Sequence, residues 1–97
     1  MALQKEIILD NGIILNYHRI VSINKITNNS NIIEVASYIN ADKRQKEIEY
    51  YSENDNASMN VFINTVFINK EYDEDETIAD TYTYLKTLEM FENSEDI

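Results

Sequence analysis

Ile7-Ile8-Leu9-Asp10-Asn11-Gly12-Ile13-Ile14-Leu15 encodes a β-hairpin, and the fold class follows from it. Two apolar runs flank a polar segment that holds the only glycine of the chain. A two-residue type I′ loop at Asn11-Gly12 would mix apolar and polar side chains on both faces of the hairpin. A three-residue loop, with Gly12 in a left-handed bulge, pairs Ile7 with Leu15 and separates the faces. The pattern therefore predicts the three-residue loop.

This register also assigns the side chains of the hairpin to two faces. The apolar face consists of Ile7, Leu9, Ile13, Leu15 and Tyr17, and the polar face of Gln4, Glu6, Asn16 and His18. We therefore expect His18 to be an exposed strand histidine without a chemical role. As the only glycine, Gly12 is expected to be the one backbone position that requires a positive φ.

A second turn joins the second strand of this hairpin to a third predicted strand. Segments rich in Ile and Val extend over Leu3–Leu9, Ile13–Thr27 and Ile32–Ile39. A three-residue loop at Asn28-Asn29-Ser30 would set Ile23 beside Val35 and Val21 beside Ser37.

Residues 41–58 break the β pattern. A basic run followed by acids predicts a short solvated helix, capped by Asn40 or Asp42 and stabilised by a Lys43–Glu47 pair. Residues 52–58 are predicted to form a loop.

Residues 59–70 return to a strand pattern that is apolar on both faces. Val61, Ile63 and Phe67 point one way, and Phe62, Val66 and Ile68 point the other way. Such a strand is expected to be central in a sheet or to lie between two packed layers.

The last element is predicted to be a helix. Thr77 and Asp80 form a capping-box pattern, and the acids at 73–76 favour the positive end of the helix dipole and remain solvated. The helical face consists of Ile78, Tyr82, Leu85 and Leu88, with Tyr84 and Phe91 widening the apolar surface. The chain from Glu92 onward is expected to fray.

Together these elements predict an α+β fold. We expect one domain over residues 1–97, with an antiparallel sheet of about four strands, hairpins first, and a C-terminal helix packed on one face. Residues 41–58 form a polar excursion from this domain.

The charge distribution excludes several classes of partner. Residues 1–46 have a net charge of +2, and residues 47–97 a net charge of −12. Direct binding to DNA, RNA or an anionic membrane is not expected, because such binding depends on cationic side chains. The first residues lack a signal-peptide pattern, and no apolar run is long enough to cross a bilayer.

No group for catalysis, cofactor binding or metal binding is expected. The chain has no cysteine and one histidine, so it lacks the usual zinc ligands, and a catalytic triad would depend on His18 alone. Aligned as a calcium loop from Asp73, the sequence has Ile78 where glycine is needed and Tyr84 where glutamate is needed. We therefore predict that the protein is not an enzyme.

Four segments of the chain resemble a known group of phage proteins. They are Leu9-Asp10-Asn11-Gly12-Ile13, Tyr17-His18-Arg19-Ile20, Ile33-Glu34-Val35-Ala36-Ser37-Tyr38 and Tyr82-Thr83-Tyr84-Leu85-Lys86-Thr87. The chain resembles small proteins from the tail and baseplate region of phages and prophages of low-GC Gram-positive bacteria. The resemblance implies a virion or assembly component, and it assigns no functional residue.

The resulting hypothesis is a phage structural or assembly protein that works by protein–protein contacts. We expect it to bind itself and other phage structural proteins in the host cytoplasm during assembly, either as an assembly factor or as a component of the virion. The predicted interaction surface consists of Phe62, Val66, Ile68, Tyr84 and Phe91.

The alternative is an acidic inhibitor, in which the C-terminal half imitates nucleic-acid phosphates and occupies a basic groove of a host protein. Tyrosines among the acids, at 50, 51, 72, 82 and 84, either add to a contact surface or pack in the core.

Overall fold

The computed structural model describes residues 1–53 and 64–97, with residues 50–53 described by their backbone. In chain order the elements are β1 (Leu3–Ile8), β2 (Ile14–Ile26), β3 (Ser30–Tyr38), α1 (Ala41–Glu53), β4 (Asn64–Glu71), α2 (Ile78–Leu85), a 3₁₀ turn (Glu89–Phe91) and β5 (Glu95–Asp96). The described strands form one antiparallel sheet in the order β4-β3-β2-β1-β5. The predicted α+β class is confirmed, and the sheet has five strands rather than about four.

The first hairpin has the predicted three-residue loop. The backbone N–H of Leu9 donates to the carbonyl of Ile13 at 2.8 Å, and Ile7 lies opposite Leu15. Gly12 adopts a φ of 88°, which side chains of L-residues disfavour. The loop and its register are therefore confirmed.

The second hairpin differs from its predicted register. Its loop consists of residues 27–29, because Ile26 pairs with Ser30. This loop position sets Ile23 opposite Ile33 rather than Val35. Beyond a bulge at Val21 the pairing shifts by one further residue, so that Ser37 faces His18 rather than Val21. Asn28 adopts a positive φ of 58° in this loop, as Asn93 does near the C-terminus. Gly12 is thus not the only position of positive φ, because asparagine tolerates this conformation better than most side chains.

One face of the sheet, α2 and the 3₁₀ turn enclose the main core. The buried members are Leu3, Ile20, Ile33, Val35, Tyr82, Leu85 and Phe91, and the half-buried side chains packed against them are Ile7, Ile23, Val66, Ile68, Tyr84 and Leu88. From the predicted helical face, Tyr82, Leu85 and Leu88 belong to this core. Ile78, at the first helical position, is exposed instead.

Helix α2 begins with the predicted capping box. The Thr77 side chain accepts a hydrogen bond from the N–H of Asp80, and the Asp80 carboxylate accepts one from the N–H of Thr77. Tyr82 then joins the helix to the sheet, because its hydroxyl accepts from the N–H of Ile20 and donates to the carbonyl of Met1, both at 2.9 Å. The hydroxyl thereby bridges two residues that the register of β1 and β2 would place opposite each other.

Helix α1 is capped by Asn40, one of the two predicted residues, whose side-chain oxygen accepts from the N–H of Lys43. The predicted pairing of Glu47 with Lys43 is wrong, because its ion pair is with Arg44. Glu47 is also buried rather than solvated, and it accepts a hydrogen bond from the hydroxyl of Tyr38 at 2.8 Å. Of the predicted loop at 52–58, residues 52 and 53 belong to α1 instead, and the remainder lies outside the described residues.

The two edges of the sheet depart from expectation. The C-terminus does not fray, because β5 pairs with β1 and the backbones of Ala2 and Ile97 exchange two hydrogen bonds of 3.0 Å. An ion pair of 2.8 Å between Lys86 and Asp96 also fastens this segment. Strand β4 is an edge strand among the described residues, rather than a central one.

We predict that Gly12→Ala lowers the free energy of unfolding by about 1–2 kcal/mol, because an L-residue in a left-handed conformation is strained. A Cβ at this position would meet no atom within 4 Å, so the cost comes from the backbone alone. Urea unfolding measures the difference. Gly12→Asn is the matched control and should cost less, and equal stability of the alanine variant and wild type would contradict the assignment.

Candidate functional site

Strand β4 leaves one long side of the sheet open in the described part of the chain. It has eight residues, and its pairing with β3 continues without a bulge from Ser37–Asn64 to Ser30–Glu71. The opposite edge strand, β5, has only two residues. Natural edge strands are commonly protected by shortness, bulges or proline, and the chain contains no proline. Strand β4 therefore presents a regular row of backbone donors and acceptors.

The side chains of β4 alternate between a packed face and an open face. Val66 and Ile68 are half-buried against the core. Phe67 points to the other face, opposite Glu34 of β3, and 68% of its surface is exposed. No other large apolar side chain in the described strands is more exposed.

Tyr84 of α2 lies beside the packed face of β4. It is half-buried against the core, and the ammonium of Lys70 lies 5.3 Å from the centre of its ring. Three residues of the predicted surface, Val66, Ile68 and Tyr84, therefore belong to the same flank of the sheet. We call the residues 64–71 together with Tyr84 the β4 edge.

The other two predicted surface residues do not contribute to the β4 edge. Phe91 is 0% exposed and packs inside the core, so it cannot serve as a contact surface of the folded chain. Phe62 lies outside the described residues, as do Val61 and Ile63. Phe67 is the residue that the predicted surface lacks. Alternation along β4 places Phe67 on the face opposite to Val66 and Ile68, and the fold leaves its side chain 68% exposed there.

A buried carboxylate connects β3, β4 and α2 just beyond the end of β4. Glu76 accepts hydrogen bonds from Asn31 at 2.9 Å and from the hydroxyl of Thr81, and it forms an ion pair of 3.0 Å with Lys70. The side chain of Asn31 also donates to the carbonyl of Asp73 at 3.0 Å. The segment between β4 and α2 is thus held against the sheet by polar contacts.

The Glu76 carboxylate remains charged despite its burial. Burial raises its pKa, but the hydrogen bonds from Thr81, Lys70 and Asn31 outweigh that effect, so that the pKa of Glu76 lies below its ordinary value of 4.5. The same contact raises the pKa of Lys70. The prediction that the acids at 73–76 are all solvated is therefore wrong for Glu76, because this one carboxylate finds partners from three elements.

His18 is buried rather than exposed. Its ring lies 5.4 Å from the ring of Phe91, measured between centroids, in an edge-to-face arrangement. The prediction failed in part because β1 contains a bulge between Gln4 and Ile7, which sets the apolar Leu3 rather than Gln4 opposite His18. One available signal was Ile20, which shares the face of His18 along β2 and belongs to the core.

The imidazole is satisfied on both sides by fixed partners. Nε2 lies 2.8 Å from the carbonyl of Lys5, and Nδ1 lies 2.7 Å from the hydroxyl of Ser37. A carbonyl only accepts, so Nε2 carries the proton and Nδ1 accepts from Ser37. The distances resemble those of a nucleophile and its base, but both side chains are enclosed. We therefore assign the pair a structural role.

A cleft of about 370 Å³ lies between β2 and the start of α2. Its lining residues are Ile20, Val21, Ser22, Ile23, Lys25, Glu76 and Ile78. Its two charged side chains are already engaged, Lys25 with the carbonyl of Glu74 at 2.9 Å and Glu76 as described above. Every buried side-chain nitrogen or oxygen in the described residues has a partner. Ser22 also donates to Glu34, so every polar side chain that lines the cleft already has a partner.

Comparison with protein-family models, with curated proteins and with solved structures finds no match. Among the helices of the described residues, none is long and apolar enough to cross a membrane. The geometry of the β4 edge is therefore the main basis for a functional proposal.

We predict that Glu76→Ala lowers the free energy of unfolding by about 3 kcal/mol, because it leaves Lys70 and Asn31 without their buried partner. Urea unfolding at neutral pH measures the loss. The matched control is Glu74→Ala, which removes an exposed acid two positions away and should change stability by less than about 0.5 kcal/mol. Similar losses for the two variants would show that the Glu76 cluster does not hold α2.

We predict that His18 makes the fold less stable as the pH falls below 6.5. Burial is the main cause of its lowered pKa, with an opposing contribution from the Lys5 carbonyl. Between the lowered folded pKa and the unfolded pKa of about 6.5, the unfolded chain binds more protons, so stability decreases as pH decreases. Since His18 is the only histidine, NMR titration of its ring reads the folded pKa directly. A folded pKa at or above 6.5 would contradict this account.

Proposed function

We propose that the protein is a non-enzymatic structural or assembly protein of the phage tail region, and that it acts through protein–protein contacts made along the β4 edge. The observation that carries this proposal is the exposure of Phe67 on a regular, eight-residue edge strand. Proteins often bind by adding a strand to such an edge, where backbone hydrogen bonds provide affinity and neighbouring side chains provide specificity.

The charge distribution supports the β4 edge as the contact. Residues 64–69, Asn-Thr-Val-Phe-Ile-Asn, contain no charged side chain, although the chain as a whole has a net charge of −10. Charged residues are typically depleted from the centres of interfaces, whereas aromatic residues are enriched there. The uncharged run with Phe67 in its middle has both properties.

The rigidity of β4 also supports this proposal. On its inner side the strand is paired to β3 along its whole length, and at its end Lys70 is anchored to Glu76. Val66 and Ile68 pack against the core. A preformed strand loses little conformational freedom when a partner pairs with it, which favours binding.

The biological setting is part of the proposal and is supported by the resemblance to tail-region proteins. Such a protein would act in the cytoplasm of the bacterial host during assembly. Recovery with mature particles rather than with assembly intermediates would distinguish a virion component from an assembly factor.

We predict that Phe67→Lys removes the protein from tail particles, because a charged side chain replaces the aromatic centre of the contact. The measurement is co-purification of a tagged chain with particles from a phage-producing host, and we expect at least a tenfold lower recovery than for wild type. Ile8→Lys is the matched control, since Ile8 is an apolar residue of β1 with 63% exposure. The variants should retain the wild-type circular dichroism spectrum.

Two results would contradict this function. If the wild-type chain is absent both from particles and from their assembly intermediates, the proposed role in the phage tail region is wrong. If wild type, Phe67→Lys and Ile8→Lys are recovered equally, the protein does not bind particles through the β4 edge.

A second candidate, the acidic inhibitor, is favoured by the surface of the C-terminal half. Its exposed acids between residues 71 and 96 are Glu71, Glu74, Asp75, Asp80, Glu89, Glu92, Glu95 and Asp96. Such a surface would bind a basic groove with an affinity that falls steeply as salt increases. Contacts along the uncharged β4 edge would not weaken in this way, so salt dependence discriminates the two candidates.

A further inference from the structure

We propose that the partner of the β4 edge is a second copy of this chain, paired β4 to β4 in antiparallel orientation with Phe67 opposite Phe67 of the second copy. This inference rests on the proposed function, because it names the occupant of the same contact. The pairing would continue the sheet from one copy into the next around a two-fold axis perpendicular to the sheet.

The strand alternation restricts the available registers. Residues directly opposite each other in an antiparallel pair lie on the same face of a sheet. The packed face of one copy must therefore continue into the packed face of the other, which requires each pair to join residues of equal parity. In a symmetric pairing of this kind, one residue of β4 lies opposite the same residue of the second copy. The side chains decide which residue this is.

The register centred on Phe67 matches the apolar side chains. It sets Val66 opposite Ile68 of the second copy, and the reverse, so that three consecutive pairs are apolar. Centring on Ile68 would set Val66 opposite Lys70, and centring on Val66 would set Phe67 opposite Thr65. Each of these alternatives retains a single apolar pair. Cross-strand pairs of aromatic and β-branched side chains stabilise sheets, so the Phe67-centred register is favoured.

The same register avoids opposing like charges. Lys70 falls opposite Asn64 of the second copy, and its ammonium is already paired with Glu76 of its own chain. Residues 64–69 bring no charge to the strand pair. The net charge of −10 on each copy still repels the other, so salt screening should strengthen this dimer.

The contact is small, which determines the conditions of the experiment. Strand β4 provides eight residues, whereas stable interfaces have about 20–30 residues on each side. We therefore expect a weak, reversible dimer that forms as concentration increases.

Single cysteines can measure the register, because the natural chain contains none. In the proposed pairing, Phe67→Cys places two thiols opposite each other, at a Cα separation of about 4.5–5.5 Å that a disulfide can bridge. Thr65→Cys or Asn69→Cys alone places identical thiols about 13 Å apart, given a rise of about 3.3 Å per residue. A mixture of the Thr65→Cys and Asn69→Cys chains should crosslink again, because residues 65 and 69 face each other.

Mild oxidation followed by non-reducing electrophoresis measures the fraction of disulfide-linked dimer in each sample. Crosslinking of Phe67→Cys and of the mixture, at least tenfold above that of each outer variant alone, is the expected pattern. Equal crosslinking of all samples, or of none, would overturn the proposed register.

Sedimentation of the purified chains tests the association itself. From about 10 μM to about 1 mM, wild type and Ile8→Lys should shift from monomer to dimer, and Phe67→Lys should associate at least tenfold more weakly. Although lysine lowers the net negative charge, the two lysines would lie opposite each other in this register, so their repulsion adds to the loss of the aromatic pair. Increasing salt should strengthen the wild-type dimer.

The two proposals fail in different ways. A strict monomer over this range, combined with Phe67-dependent recovery in tail particles, would overturn self-pairing and leave the proposed function intact. A Phe67-dependent dimer, combined with recovery in particles that is independent of Phe67, would support self-pairing and contradict the function.

Discussion

The buried Glu76 carboxylate is the constraint on which the arrangement of β3, β4 and α2 depends. A charge removed from water is tolerated only where hydrogen bonds and an opposite charge replace the lost solvent. Asn31, Lys70 and Thr81 supply those contacts from three different elements. The segment that joins β4 to α2 therefore has one favourable position against the sheet, and the capping box at Thr77 starts the helix from that position.

This anchoring has a direct consequence for the proposed contact. Lys70 lies at the end of β4, so its ion pair with Glu76 holds the strand where β3 pairs with it. Val66 and Ile68, on the packed face of β4, also hold the strand in place by packing against the core. In the described part of the chain, the open edge is therefore held by its pairing with β3 and by the core, and Phe67 lies near its centre. The other edge of the sheet is closed by a two-residue strand and by the paired backbones of Ala2 and Ile97.

Sequence reasoning succeeded where the deciding contacts are local. The hairpin at Gly12 depends on a single residue that tolerates positive φ and on the alternation of its neighbours. The capping box depends on two residues three positions apart. Sequence reasoning failed where a shift of one residue changes the register. The bulge in β1 contributed to the wrong prediction for His18, and the second loop begins one residue earlier than predicted, which changed the partner of Ile23. Bulges leave little trace in composition, so the faces beyond them were misassigned.

The amino-acid order alone determined the α+β class, the first turn and the start of α2. The turn and the helix start each depend on side chains close together in the chain. The tertiary structure alone decided that Glu76 is buried, that Phe91 lies in the core and that Phe67 is exposed on an edge. These properties depend on which strands become neighbours. The order of the strands is determined by packing between residues far apart in the chain, so it cannot be predicted from a local sequence pattern.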